Sequence, residues 1–419
     1  MNKEKEYSIR YFFYLDIIAF GILILITILL YSSHYQYVDE VVYKENIPLL
    51  HKYGWSDKFL WEYIGPPGPT YAFLHALFEP ITHLIPTRMR MVNMAMFGVL
   101  LYSLTAFFRQ TNTPHHKESA FSILSAPITF MVACLAITEI PALTFLLLGY
   151  QMLLLALKNV HFWQKYALAI FSGILISLAI MGRQTYLVSL LTLPILYLQE
   201  KKKSDIAVIA LCLIFSLLFP LKVFSVWQNL VPYQCLAANQ EYVFAHGILG
   251  LGYSAIFVLC WNIDFFAKIS RNHLPYFLGG IIFVFVINHF LGLVEFLPAK
   301  ILTERFFSPA LQPTIAKMFG SLCILLSLYF LYSLFIKTLE NRKNVYYLFA
   351  LANYFVILAT FFKISHMFGA RYVFQAFPFL MYLVLQDKKF HAKNLVLKIV
   401  FLLLGILFLW KYATDIFVA

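Results

Sequence analysis

The chain has 419 residues, 61% of them hydrophobic and only 12% charged, with a mean hydropathy of +0.77. A water-soluble core cannot absorb that much apolar surface, so the composition excludes a soluble globular protein and points to a polytopic membrane protein. The formal net charge of +12 would suggest nucleic acid in a soluble protein, but basic loops facing the cytoplasm explain the excess, which is read as topology with no nucleic-acid partner.

The first apolar run starts near residue 11 and is followed by no small-residue cleavage site, so it reads as a retained helix rather than a signal peptide. Further runs lie near 91–108, 119–137, 141–158, 165–181, 185–199, 205–222, 243–262, 273–293, 308–336, 344–362, 371–386 and 394–415. With 11–32 they predict an all-α bundle of about thirteen transmembrane helices. If the N-terminus is cytoplasmic, successive inside segments carry Lys3, Lys5 and Arg10, then Arg109 and Lys117, Lys158 and Lys165, and Lys201 to Lys203. Lys268 and Arg271, Lys337, Arg342 and Lys343, and finally Lys388, Lys389, Lys393 and Lys398 continue the series, as the positive-inside rule requires. Residues 66–87, "PPGPTYAFLHALFEPITHLIPT", break the pattern, because counting them as a span would put "EKKK" outside. They are read as an interfacial helix on the outer surface. The first outer loop then runs over 33–90, far longer than the other connections, and such loops tend to carry function. No repeat or soluble domain is legible, so residues 1–419 form one integral membrane domain. The cysteines Cys134, Cys212, Cys235, Cys260 and Cys323 lie scattered without CxxC spacing, as buried structural thiols do.

This topology places the unusual polar residues at outer helix ends: Asp39, Glu40, Glu62, Glu139, Arg183, Gln184, Glu241, His246, Glu304, Arg305, His366 and Arg371. They can line one outward-opening cavity. Asp39 and Glu40 sit where the chain leaves the bilayer. They read either as a solvated helix cap or as a general base at a partly desolvated boundary. Glu139, in a short outer turn ahead of Pro141, is a second acid that can support them; a charge favoured by the helix dipole is the alternative. Arg183 with Gln184, and Arg371, stand outside, where the positive-inside rule gives no reason for arginine. Two outer arginines suit an anionic ligand such as a phosphate, while either alone can snorkel to the interface. The turn "IGPPGPTY" cannot continue a helix and either forms a structural elbow or shapes a substrate groove. No HxxxH, HExxH, Walker A or GxGxxG pattern occurs, so neither a dedicated zinc site nor cytoplasmic nucleotide chemistry is expected.

"YVDEVVYKENIPLLHKYGW" followed by "WEYIGPPGPTY", "RMRMVN" and later "GRQTYLV" resembles the dolichyl-phosphate-glucose α-1,2-glucosyltransferase family. That family has Tyr-x-Asp-Glu after its first span, then Trp-Asp-Pro, Thr-Pro-Pro-Gly-Leu-Tyr, Arg-x-x-Asn and Arg-Gln-Thr-Asn. More broadly the pattern is similar to the GT-C membrane glycosyltransferases. Here Trp61-Glu62-Tyr63 replaces Trp-Asp-Pro, Gly65 replaces a Thr, Pro69 a Leu and Tyr186 the final Asn. The resemblance covers 37–93 and 183–186, and a weaker likeness lies in "ARYVFQAFPFL". It implies a GT-C-like bundle that moves a hexose from a polyprenyl-phosphate donor to a lipid-linked or cell-envelope glycan on the non-cytoplasmic face, by single displacement with inversion. It implies Asp39 as base, Glu40 as its neighbour orienting the acceptor or supporting Asp39, and Glu139 as the second acid. Arg183, Gln184 and Arg371 would grip the donor phosphate, and Tyr37, Trp61, Pro66, Pro67, Tyr71, His246 and His366 would line the groove. The partners implied are membrane lipid, the lipid-linked sugar donor and a glycan or glycolipid acceptor; a divalent metal is left open. A bacterial inner membrane is the first choice of location, with the endoplasmic reticulum as the eukaryotic equivalent. The rival reading is a transporter or flippase for a lipid-linked sugar, which would carry ionisable groups through the midplane.

Overall fold

In hydrocarbon every backbone N–H and C=O must be satisfied within its own segment, so long apolar runs fold as helices. The computed structural model describes residues 3–29, 38–159, 161–199, 202–235, 242–266, 274–296, 308–364, 368–386 and 392–415, and among them helices and turns account for the whole architecture. Helix α1 (Lys3–Leu29) precedes five short helices, α2 (Val38–Lys44), α3 (Asn46–Tyr53), α4 (Asp57–Glu62), α5 (Thr70–Leu77) and α6 (Glu79–Thr82). Then come α7 (Pro86–Gln110), α8 (His116–Phe121), α9 (Ile128–Cys134), α10 (Glu139–Lys158), α11 (Phe162–Gly182) and, after a 3-10 helix over Gln184–Leu198, α12 (Lys203–Trp227). The remaining helices are Phe244–Trp261, Leu274–Leu291, Gln312–Asn341, Val345–Thr360, Arg371–Phe374, Phe377–Leu385 and Ala392–Asp415.

Among the described residues eight helices are long and apolar enough to cross a membrane, and three shorter apolar ones accompany them, Gln184–Leu198, Gly279–Leu291 and Asn394–Leu407. The expected count of about thirteen is thus not reached, and proline explains two of the differences. The segment 119–137 is broken at Pro127, which precedes the short α9. The segment 371–386 is split into Arg371–Phe374 and Phe377–Leu385, the latter with Pro378 in its first turn. Proline lacks the N–H a helix interior requires. The 15-residue 3-10 helix contains Pro194. At about 2 Å per residue a 3-10 helix of this length reaches about 30 Å, the thickness of the hydrocarbon core.

Small residues bring the spans together, as is usual where lipid removes the hydrophobic drive between helices. Gly149 of α10 lies against Ile176 of α11, whose Ser172 hydroxyl donates to the Gly149 carbonyl at 2.7 Å. Gly173 of α11 lies against Cys212 and Phe215 of α12. The segment between α1 and α7 is fastened to this frame. Thr70 donates to the Leu178 carbonyl at 2.6 Å, and the Trp227 indole of α12 donates to the Leu60 carbonyl at 2.6 Å. Gly68 has no room for a Cβ because the Met181 carbonyl closes on it, and Gly65 adopts φ +104°. The "IGPPGPTY" turn is therefore pinned to the end of α11. As a result the first turn of α2, the start of α10, the end of α11 and the start of Arg371–Phe374 meet at one place.

Candidate active site

Four charged side chains converge there in alternating sign. Arg371 pairs with Asp39, Arg183 pairs with Glu139, and Arg371 Nε lies 3.9 Å from Glu139 Oε1. Their exposure is graded: the Asp39 side chain is 30% exposed, Arg371 19%, Arg183 10% and Glu139 fully buried. Asp39 is thus the carboxylate a solute can reach. Glu139 occupies the first turn of α10, where the helix dipole favours a negative charge. Its Oε2 and the Nε of Arg183 have no hydrogen-bond partner although both are buried. Unmatched polar atoms of this kind are expected where a ligand is to be received.

Tyr43, one helical turn after Asp39, completes the cluster. Its ring is buried and packs on Tyr71 with centroids 5.5 Å apart. Burial pushes its hydroxyl above the ordinary phenol range, and Arg183, Asp39, Glu139 and Arg371 all act on it electrostatically. The phenol therefore keeps its proton and is a hydrogen-bond donor amid both acids and both arginines.

Glu40 is engaged within the protein. Its side chain is buried and forms a fork with Arg90, Nε to Oε1 at 2.9 Å and Nη2 to Oε2 at 2.8 Å, and Oε1 also accepts the Ala136 N–H at 2.8 Å. Both oxygens are engaged, an arrangement that matches the supporting role among the two expected of Glu40. Tyr71 donates from its hydroxyl to the Ala136 carbonyl at 3.0 Å. Ala136 is thus held at both its N–H and its C=O, three residues before Glu139. Asn93 adds donations to the Val132 and Ala133 carbonyls at 3.1 and 3.3 Å, and one to Leu135. These contacts account for the Arg-x-x-Asn spacing of Arg90 and Asn93: one residue fixes the helix bearing Asp39, the other the turn that delivers Glu139. Arg90 and Tyr43 were visible in the quoted motifs, but nothing in the sequence said which acid Arg90 would meet.

The other expected site residues divide. Gln184 donates to the Pro66 carbonyl, so its amide holds the turn instead of standing free for a phosphate. Pro66 is exposed, whereas Pro67 and Tyr71 are buried supports. His246 shares a hydrogen bond with the Ile364 carbonyl and stacks on Phe368, 5.4 Å between centroids, three residues before Arg371. Trp61 stands 56% exposed away from the charges, on Tyr233. Tyr37 and His366 lie outside the described residues. Among the described residues no three His, Cys, Asp or Glu side chains gather as a metal-binding group. Each carboxylate of the cluster faces a guanidinium.

No protein-family model matches the chain, and no curated protein matches it. Among solved structures, it is similar to ArnT from Cupriavidus metallidurans in the apo state, with 12% identity and a TM-score of 0.41 over 90% of this chain and 77% of that one. The same protein bound to undecaprenyl phosphate gives 13% identity and a TM-score of 0.42 over 92% of this chain and 77% of that one. At this level of similarity no residue correspondence follows.

Proposed function

We propose that the chain is a membrane glycosyltransferase that moves a hexose from a polyprenyl-phosphate sugar to a lipid-linked or cell-envelope glycan on the non-cytoplasmic face. The observation that carries this reading is the alternating cluster of Asp39, Arg371, Glu139 and Arg183 with the Tyr43 phenol among them. Its setting at helix ends supports a donor anchored in the bilayer and an acceptor arriving from water.

The chemistry follows from competition for the guanidinium groups. A donor phosphate is a bidentate acceptor for arginine, so its arrival draws Arg371 off Asp39 and engages Arg183 without displacing Glu139. Asp39, now unpaired, accepts the proton of the acceptor hydroxyl. The hydroxyl oxygen forms its bond to the anomeric carbon as the bond from that carbon to the phosphate oxygen breaks, with inversion. The electron pair leaves with the polyprenyl phosphate, whose growing charge the two arginines and the Tyr43 hydroxyl stabilise. Glu139 keeps Arg183 in place throughout. Holding both reactants in line is the main catalytic device.

A flippase draws less support, because charged groups buried between apolar helices, such as Asp16 of α1 and Lys398, are sealed against each other rather than strung along a path. The test is sugar transfer by the purified protein from radiolabelled polyprenyl-phosphate hexoses to membrane lipids and glycans. Transfer is expected with one or more donors. Donor translocation across vesicles without transfer would overturn the reading in favour of the flippase.

A further inference from the structure

The residues that close α11 and follow it each hold a different part of the charged cluster. Gly182 has no room for a Cβ because Ala142 of α10 lies against it, and Arg183 pairs with Glu139 of the same helix. Gln184 donates to the Pro66 carbonyl. Thr185 donates from its hydroxyl to Oε1 of Gln375 at 2.5 Å, and the Tyr186 hydroxyl donates to the Gln375 carbonyl at 3.4 Å. Gln375 caps the four-residue helix that opens with Arg371, and its own N–H donates to the Tyr372 carbonyl at 3.2 Å. It is 1% exposed. In the stretch "RYVFQAFPFL" it stands among apolar side chains. A buried amide costs free energy unless it is hydrogen-bonded, so packing alone gives no reason for glutamine there.

The clasp lies between the two arginines. Arg183 is two residues before Thr185, and Arg371 is four before Gln375. Both guanidinium groups approach one oxygen, Glu139 Oε1, Arg183 by pairing with it and Arg371 with its Nε at 3.9 Å. Two cations directed at one atom repel each other, so their backbones must be held if both are to address a single group. The contacts with α10 fix Arg183, and the bond from Thr185 to Gln375 carries that fixation to the segment bearing Arg371. We propose that Gln375 is a positioning residue which, clasped by Thr185, sets the separation of Arg183 and Arg371 so that both guanidinium groups meet one donor phosphate. This rests on the reading of those arginines as the phosphate grip of a glycosyltransferase and adds the device that spaces them.

The experiment uses the full chain, with sugar transfer measured in nanodiscs and binding measured in detergent with two probes, farnesyl phosphate and the uncharged farnesol. Thr185→Val and Gln375→Met each strand one polar partner and should lower the melting temperature, whereas the double variant removes both partners at nearly constant shape and should melt like the parent. The double variant is nevertheless expected to bind farnesyl phosphate about three to ten times more weakly, the equivalent of one hydrogen bond. Its donor half-saturation should rise by the same factor, with farnesol binding and acceptor half-saturation at parental values. Thr185→Ser keeps the hydroxyl and should behave as the parent. Parental farnesyl phosphate binding by the double variant would overturn the proposal by reducing the clasp to packing. An equal loss for farnesol would also overturn it, because the defect would then lie with the lipid tail. A parent that binds farnesyl phosphate no more tightly than farnesol would remove the phosphate grip and the proposal with it. Selective loss of farnesyl phosphate in the double variant, with no sugar transfer even by the parent, would support the clasp and overturn the glycosyltransferase reading alone.

Discussion

Asp39 and Glu40 are neighbours in sequence and carry the same functional group, yet they meet opposite surroundings. Glu40 faces inward, is buried, and has both oxygens matched by Arg90 and the Ala136 N–H. Asp39 faces the rim, is 30% exposed, and is held by one arginine that also approaches Glu139. A fully matched buried fork gives a rigid frame, because removing either partner strands a charge. A partly exposed pair gives a group that a ligand can release. One helical step separates the frame from the proposed base.

The comparison can be broken from either side. The largest effect is expected for Asp39→Asn, which should lower transfer by about 10² to 10⁴ fold as a general base is lost, with the melting temperature at the parental value. Arg90→Ala should do the reverse, costing about 3 to 5 kcal/mol of stability by leaving Glu40 buried and unpaired. Thermal unfolding in detergent checks it, and the double replacement Glu40→Met with Arg90→Met should recover most of the loss.

His75 sharpens the contrast between framework and site through pH. It is buried in α5, packs against Tyr71 with ring centroids 4.2 Å apart, and neither ring nitrogen has a hydrogen-bond partner. Burial pushes its pKa down from 6.5 to about 3. The unfolded chain therefore binds a proton below pH 6.5 that the folded chain refuses until about pH 3. Its contribution to stability is intact above pH 6.5 and falls progressively as the pH drops towards 3. The loss by pH 5 is about 2 kcal/mol, and His75→Leu should flatten that limb of the curve. Arg183→Lys keeps the charge but loses the fork and should raise donor half-saturation about tenfold. Gln184→Ala, which removes only a tie to the Pro66 carbonyl, should change transfer by about threefold or less.

Much of this was legible in the sequence, for reasons that differ by residue. Apolar runs of span length announce helices because the bilayer permits little else. Arg183 and Arg371 stood out because the positive-inside rule gives no reason for arginine at span ends read as outer, while Asp39 and Glu139 drew notice as acids beside them, with a helix cap or a helix dipole as their plainer readings. Pairing was not legible. That Arg90 would meet Glu40, that Gln184 would bind a proline carbonyl, and that Tyr43 would face all four charges depend on contacts between segments distant in sequence. Pro127 and Pro378 were readable as breakers but lay inside runs of span length, and hydropathy averaged over a window conceals a single missing N–H.

The most direct test compares Asp39→Asn with Glu40→Gln, measuring transfer per folded molecule alongside thermal unfolding in the same preparation. The expected result is that Asp39→Asn unfolds like the parent and transfers no sugar, while Glu40→Gln unfolds at lower temperature and transfers sugar in proportion to its folded fraction. Transfer retained by Asp39→Asn together with a folded, inactive Glu40→Gln would contradict the assignment and move the base to Glu40.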